Sequence, residues 1–237
     1  MHKNIRNSEP TVLWNHFSDL NAVPRPSKKE ERVIEFIVQF GKKLGLETKI
    51  DAIRNVLIKK PATVGFENRK TVVLQSHLDM VHQKNDATVF DFDTDGIQME
   101  IKEGWIHAKG TTLGADNGIG VAAIMSILSS TNIEHPAIEA LFTVDEETGM
   151  TGAMELQPGF LSGDILLNLD TEDDDEISIG CAGGVDITAT SSYKEIPIKE
   201  ESVAYKITVN GLNGGHSGMD IHKGFGNANK ILNRILV

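Results

Sequence analysis

Apolar positions along the chain follow helical spacing in some stretches and strand-like spacing in others. Ser27 and Glu30 stand three residues apart, which is the capping-box pattern and predicts a helix start. The apolar residues behind them recur at helical intervals: Val33, Ile37, Phe40 and Leu44. We therefore expect an amphipathic helix after residue 30.

The following stretches alternate between strand and helix. Strand-like patterns occur at 48–59, 71–76, 137–144 and 164–169, and a hairpin is predicted at 96–109 around a Glu103-Gly104 turn. A broad apolar face predicts a helix over 117–130. This alternation is typical of an α/β fold with a mixed sheet, at least partly parallel, and flanking helices.

The pattern changes after a glycine cluster at 180–184. Residues 205–209 alternate like a half-exposed strand, and a helix begins near 227 with no end signal before Val237. We expect a first domain over 1–185 and, over 186–237, the start of a smaller α+β domain.

Charge and composition exclude several classes of partner. The 237 residues carry 34 acidic and 23 basic side chains, a net charge of −11, which argues against nucleic acid or an anionic membrane as partner. The single cysteine, Cys181, excludes an internal disulfide framework and suits a reducing compartment. With no signal-peptide pattern and no long apolar run, we expect a soluble, cytoplasmic protein.

Polar residues with metal-binding chemistry follow the predicted strands. His77, the 145–147 acidic run and Asp170 each come just after a strand, and Asp116 lies in a glycine-flanked turn before a helix. Ligands of open α/β sheets bind outside the carboxyl ends of the strands. One imidazole and several carboxylates at that edge form a ligand set for zinc or a similar divalent ion.

Each of these positions also has an ordinary interpretation. His77 could be a strand-end histidine with Asp79 as its acceptor, and Asp116 a plain helix N-cap. Glu146 and Glu147 could belong to a solvated loop. His216, between glycines, is either an exposed surface histidine or a mobile substrate contact.

Taken together, the segments resemble the di-zinc aminopeptidase/carboxypeptidase superfamily and, within it, the bacterial aminoacyl-histidine dipeptidases. The resemblance runs through the whole chain and depends on TTLGADNGIG at 111–120, DEETGMTGA at 145–153, IGCAGG at 179–184 and the segment 214–230. It implies a zinc-peptidase type of sheet, followed by the start of a lid domain through which the family commonly forms homodimers.

The resemblance also implies a role for each site residue. His77, Asp116 and Asp170 would bind one Zn²⁺, and Asp116 would bridge to a second Zn²⁺ that Glu147 also binds. Mn²⁺ or Co²⁺ could replace zinc. Glu146 would be the general base, Asp79 would orient the site, and His216 would contact the substrate.

The implied reaction is metal-dependent hydrolysis of dipeptides, Xaa-His and others, by an activated water. Family members are about twice this length and take a last histidine ligand from near their C-terminus, so the resemblance gives this chain an incomplete second metal position. Two alternatives stay open at this point: a non-catalytic metal-binding fragment, and an amidase or deacylase of the same superfamily.

Overall fold

The computed structural model describes residues 5–171, 175–181, 183–185, 187–215 and 220–237. Its internal contacts divide the chain into two units, Met1–Ser178 and Ile179–Val237. The domain boundary predicted at residue 185 stays a prediction.

A five-stranded mixed sheet forms the centre of the first unit. In the order β1-β2-β6-β3-β7 its strands are Glu47–Ile50, Val56–Lys60, Ile138–Thr143, Val72–His77 and Ile165–Asn168. β1 and β2 pair antiparallel with each other, β2 pairs antiparallel with β6, and β3 runs parallel to both β6 and β7. The predicted mixed α/β sheet is confirmed, and the carboxyl ends of β3, β6 and β7 lie at one edge.

Every residue of β6 is buried, which is typical of a parallel strand covered on both faces. The first helices are α1 (Thr11–Asn21), α2 (Glu31–Lys43) and α3 (Ala115–Ser129). Helix α1 packs on α3, α3 on β3, and α2 on β1 and β2. The two short helices α4 (Glu146–Gly149) and α5 (Thr151–Met154) follow β6. None of the helices in the described ranges has the length and apolar character that a membrane span needs.

The predicted hairpin is confirmed as β4 (Met99–Lys102) paired antiparallel with β5 (Trp105–Ala108). The stretch 48–59, predicted as one β pattern, is instead two strands, β1 and β2, joined by a turn. The Asp51 side chain holds this turn by accepting hydrogen bonds from the backbone N–H and the side-chain amide of Asn55, both at 2.8 Å.

The predicted capping box is wrong. Helix α2 begins at Glu31 with Glu30 as N-cap, and no side chain caps it. The Ser27 hydroxyl donates to Asp79, and the Glu30 carboxylate accepts from the backbone N–H groups of Lys28 and Asp145. Both side chains therefore bond to groups outside α2, and Asp79 and Asp145 among these partners are distant in sequence.

The second unit contains a short 3₁₀ turn, Ile221–Lys223, and the helix α6, Ala228–Leu236, which Asn227 caps through the N–H of Lys230. The strand predicted at 205–209 does not form. Tyr205 is exposed, and the described part of 179–237 offers no neighbouring strand to pair with. A strand without a partner is not stable in water.

Candidate metal centre

His77 ends β3 at the edge where the strands' carboxyl ends meet, and its side chain is buried. Its Nε2 lies 2.9 Å from an Asp116 oxygen, 3.6 Å from an Asp170 oxygen and 3.9 Å from a Glu146 oxygen. The strand register places the end of β3 beside β6 and β7, whose following residues supply Glu146 and Asp170. The sheet therefore brings together residues that are far apart in sequence.

Two groups of side chains hold their ligand atoms within 4.8 Å of one another around His77. One is His77, Glu146 and Asp170, and the other is His77, Asp116 and Glu147. Both include candidates that the sequence singled out, although the expected first set paired Asp116 with Asp170. Both Asp116 and Asp170 lie near His77 Nε2, so the expected division of the ligands stays a prediction.

Asp79 is fully buried and holds His77 from its other ring nitrogen. Its carboxylate lies 3.2 Å from His77 Nδ1, and its carbonyl oxygen lies 3.1 Å from the same atom. With Nδ1–H donated to Asp79, Nε2 is the ring nitrogen that faces the carboxylates of Asp116, Asp170 and Glu146, and it would be the ligand atom for a metal ion. The same Asp79 carboxylate accepts from the backbone N–H groups of Glu146 and Glu147, at 3.0 and 3.2 Å.

Those two hydrogen bonds explain how adjacent glutamates both reach the site. Asp145 takes a left-handed backbone conformation (φ 50°), and Glu146 and Glu147 form the first turn of α4 rather than an extended run. Their free N–H groups point at Asp79, as helix N-terminal N–H groups do toward an anion. Glu147 also accepts from Val81 N–H at 3.3 Å.

The side chain of Asn117, at the start of α3, positions Asp170. The Asn117 side-chain amide donates to an Asp170 oxygen at 2.5 Å and to the Leu169 carbonyl at 2.9 Å. Asn117 is buried at the residue next to Asp116. The turn that presents Asp116 therefore also fixes Asp170.

The electrostatics of this cluster favour a bound cation. Burial alone would lower the pKa of His77, but Asp116, Asp170 and Asp79 raise it to about 12. Burial raises the pKa of Glu146 and of Glu147, and the surrounding carboxylates add to this rise against the opposing effect of His77. The raised pKa values mean that the surroundings favour the protonated forms of both glutamates and of the imidazole, as expected where negative charges crowd together without enough positive charge. A divalent ion with nitrogen and oxygen ligands fits this donor set.

Sequence reasoning missed three buried polar residues next to the site. Arg25 donates to the carbonyls of Leu78 and Asp79. Burial lowers the pKa of Arg25 to about 10, against the effect of Asp79 and its neighbours, so the guanidinium stays charged. The other two are Ser27, taken as a helix cap, and Asn117, taken only as part of a motif. A charged residue is rarely buried without a partner. Because the partners of Arg25 lie far along the chain, the sequence around Arg25 does not show that it is buried.

His216, the predicted substrate contact, lies outside the described residues. The other predicted site residues all lie in the first unit: His77, Asp116, Glu146, Glu147 and Asp170 form the two groups that share His77, and Asp79 contacts His77 Nδ1. The roles assigned to them stay predictions.

Known proteins resemble this chain in sequence and in fold. Residues 73–213, more than half of the chain, match the profile of peptidase family M20/M25/M40. The chain belongs to this family. The match includes β3, α3, β6 and β7, which carry the candidate metal centre.

Individual members of known protein groups resemble this chain in sequence or in structure. The chain is 49% identical over 227 residues to the cytosol non-specific dipeptidase of Escherichia coli, covering 96% of this chain and 47% of that protein. Its structure resembles the crystal structure of aminoacylhistidine dipeptidase from Vibrio alginolyticus, with a TM-score of 0.77, 46% identity, and coverage of 99% of this chain and 48% of the other. A tripeptidase from Staphylococcus aureus matches with a TM-score of 0.59 and 26% identity over 69% of this chain and 44% of its own. The chain spans about half the length of the curated relatives it matches.

Proposed function

We propose that the protein is a metal-dependent dipeptidase that hydrolyses Xaa-His and other dipeptides. The observation that carries the proposal is His77, whose Nε2 faces Asp116, Asp170 and Glu146 while Asp79 holds Nδ1. The family membership and the dipeptidase names of two relatives support the same reaction.

The family resemblance implies which residues would bind the metal ions. His77, Asp116 and Asp170 would hold one Zn²⁺, and Asp116 and Glu147 would contribute to a second, with Mn²⁺ or Co²⁺ as substitutes. When bound, such ions lower the pKa of a water and polarise the substrate carbonyl. Asp79 keeps the His77 imidazole in the tautomer and orientation that a ligand needs.

Glu146 is the proposed general base. It lies at the start of α4, where its backbone N–H donates to Asp79, and its side chain is 30% exposed, which leaves it accessible to a water and a substrate. The carboxylate would accept the proton of the attacking water and pass it to the departing amine. His216 is the proposed substrate contact.

The relatives also support proposals about the cellular location and the oligomeric state. The printed name of the Escherichia coli relative places that protein in the cytosol, and we propose the same location here. The family resemblance further supports a homodimer as the working form.

Hydrolysis assays on the purified protein test the reaction. Xaa-His dipeptides should be cleaved in the presence of Zn²⁺, Mn²⁺ or Co²⁺, a chelator should abolish cleavage, and added metal should restore it. N-acylated amino acids serve as the comparison substrates. Cleavage of these alone would replace the dipeptidase with an amidase or deacylase, and turnover that survives complete metal removal would contradict the metal-dependent mechanism.

A further inference from the structure

Arg25 is enclosed by the protein, with 1% of its surface exposed, and its guanidinium joins two separate loops. Its Nη1 donates to the carbonyl oxygens of Leu78 and Asp79, both at 3.1 Å. Its Nη2 donates to the Asn21 side-chain oxygen at 3.1 Å and to the carbonyl of Gly114. One side chain thus binds the segment after β3 and the turn before Asp116.

The two glycines near Asp116 leave room for this side chain. A Cβ on Gly118 would lie 2.7 Å from Arg25 Nη2 and 3.1 Å from a Phe17 ring carbon. A Cβ on Gly114 would also meet Nη2, and would lie 2.8 Å from the Met80 sulfur. The glycine-flanked turn is therefore shaped around the guanidinium, as well as by the left-handed backbone of Gly114 (φ 68°).

Asn21 extends the contact on the side of the turn. Its side-chain oxygen accepts from Arg25, and its side-chain nitrogen donates to the Leu113 carbonyl at 3.2 Å. The carbonyls of Leu113 and Gly114 are thus both held, one through Asn21 and one by Arg25 itself. The backbone leading to Asp116 is fixed two residues before the carboxylate.

We propose that Arg25 is a positioning residue for the metal centre, which sets the distance between the His77–Asp79 side of the site and Asp116. The inference rests on the proposed function, because it assumes that these residues hold the ions. Arg25 makes no side-chain contact with a carboxylate of the site, and acts through the main chain on both sides. Asp116 is the proposed bridge between the ions, so a displacement of its turn would disturb both metal positions.

The planar, forked guanidinium group of arginine fits the arrangement of acceptors around it. Four acceptors lie around two nitrogens in one planar group, an arrangement that the single ammonium of lysine cannot reproduce. Arg25→Lys keeps the positive charge and removes the bridge. This variant therefore separates geometry from charge.

Co²⁺ binding to the purified protein tests the proposal independently of turnover. The variants are Arg25→Lys, Asn21→Ala, which frees the Leu113 carbonyl, and Arg54→Lys as the matched control, since the Arg54 side chain forms an exposed ion pair with Glu31. Circular dichroism verifies folding, and titration with the visible Co²⁺ spectrum reports affinity and ligand geometry. We expect Arg25→Lys to weaken Co²⁺ binding by about 10–100-fold and change the spectrum, as loss of groups supporting metal ligands does. Asn21→Ala should show a smaller loss, and Arg54→Lys none.

The outcomes separate the two proposals. A folded Arg25→Lys protein with wild-type Co²⁺ affinity and spectrum overturns the positioning role. Should Arg25→Lys not fold, Asn21→Ala decides, and wild-type Co²⁺ binding by that variant overturns the role equally. A wild-type protein that binds Co²⁺ without cleaving dipeptides overturns the proposed function and leaves the Co²⁺ comparison valid, whereas a wild-type protein that binds no Co²⁺ overturns both.

Discussion

Asp79 shows how a single buried carboxylate can organise a site without facing the substrate. One of its oxygens accepts from His77 Nδ1 and Glu146 N–H, and the other accepts from the Ser27 hydroxyl and Glu147 N–H. Burial would raise its pKa, but these donors, led by His77, lower it, so the group stays ionised. Both oxygens are used as acceptors only.

We therefore expect Asp79→Asn to impair the site although it preserves shape. The asparagine NH₂ would have to replace an oxygen that accepts two hydrogen bonds, and it would face donors. Metal affinity should fall by about 10–100-fold, measured by competition with a chelating dye. Wild-type affinity in a folded Asp79→Asn protein would contradict the orienting role.

At the scale of single elements, the helices α3 and α4 predict opposite effects for the same glycine-to-alanine change. Gly118→Ala would push against Phe17 and Arg25, so unfolding in urea should show a loss of about 1–3 kcal/mol, the usual cost of overpacking. Gly149→Ala is the matched control, because its Cβ would meet only ordinary contacts, the nearest at 3.6 Å. Removing a helical glycine there should leave stability equal or slightly higher. Equal stability of the two variants would refute the close packing described for Gly118.

Strand β6 carries a buried charge at the opposite end from the site. Glu139 accepts from Lys59 Nζ at 2.6 Å and from the Ser162 hydroxyl and the N–H groups of Ser162 and Gly163. Burial would raise its pKa, yet these donors lower it to about 2 from an ordinary value of 4.5. A depressed pKa stabilises the fold above the ordinary value, and this stability disappears as the pH falls toward the folded value.

Glu139→Gln should therefore cost about 2–3 kcal/mol at pH 7 and progressively less between pH 4.5 and 2, compared by denaturant unfolding at several pH values. Glu155→Gln, at an exposed glutamate, is the matched control, and its cost at pH 7 should be small. A Glu139→Gln cost that stays constant down to pH 2 would contradict the ionised, hydrogen-bonded state of Glu139.

The spacing of apolar residues predicted these helices and strands well, because an element that buries one face needs apolar residues at the period of that face. Helices α2 and α3, strand β3 and the β4–β5 hairpin were predicted from apolar spacing, and the strand-end rule located the candidate ligands around His77. Local patterns failed where a distant partner competes. The Ser27 hydroxyl bonds Asp79, 52 residues away, instead of capping α2, and nothing in the sequence near Arg25 marks a buried guanidinium.

At the scale of the whole molecule, the chain carries a net charge of −11, and five of its carboxylates lie close to His77. A divalent ion that binds only the folded chain should raise its melting temperature. The gain is about 2.7 kcal/mol at a free metal concentration one hundred times Kd. Calorimetry of metal-free protein with added Zn²⁺ measures this. Asp116→Asn should lose most of the increase, and an unchanged increase in that variant would exclude Asp116 as a ligand.

In the proposed reaction, Glu146 moves the proton during metal-dependent peptide hydrolysis. Glu146 also belongs, with His77 and Asp170, to one of the groups that could hold a metal ion. Activity and metal binding therefore have to be measured on the same sample. Glu155→Gln again provides the control.

The decisive measurement is the kcat of metal-loaded Glu146→Gln protein on an Xaa-His dipeptide, with Co²⁺ affinity determined in parallel. We predict a fall in kcat of about 10²–10⁴-fold, the usual contribution of a general base, with Co²⁺ affinity close to that of the wild type. Near wild-type turnover in the metal-loaded variant would contradict the assignment of Glu146 as the base.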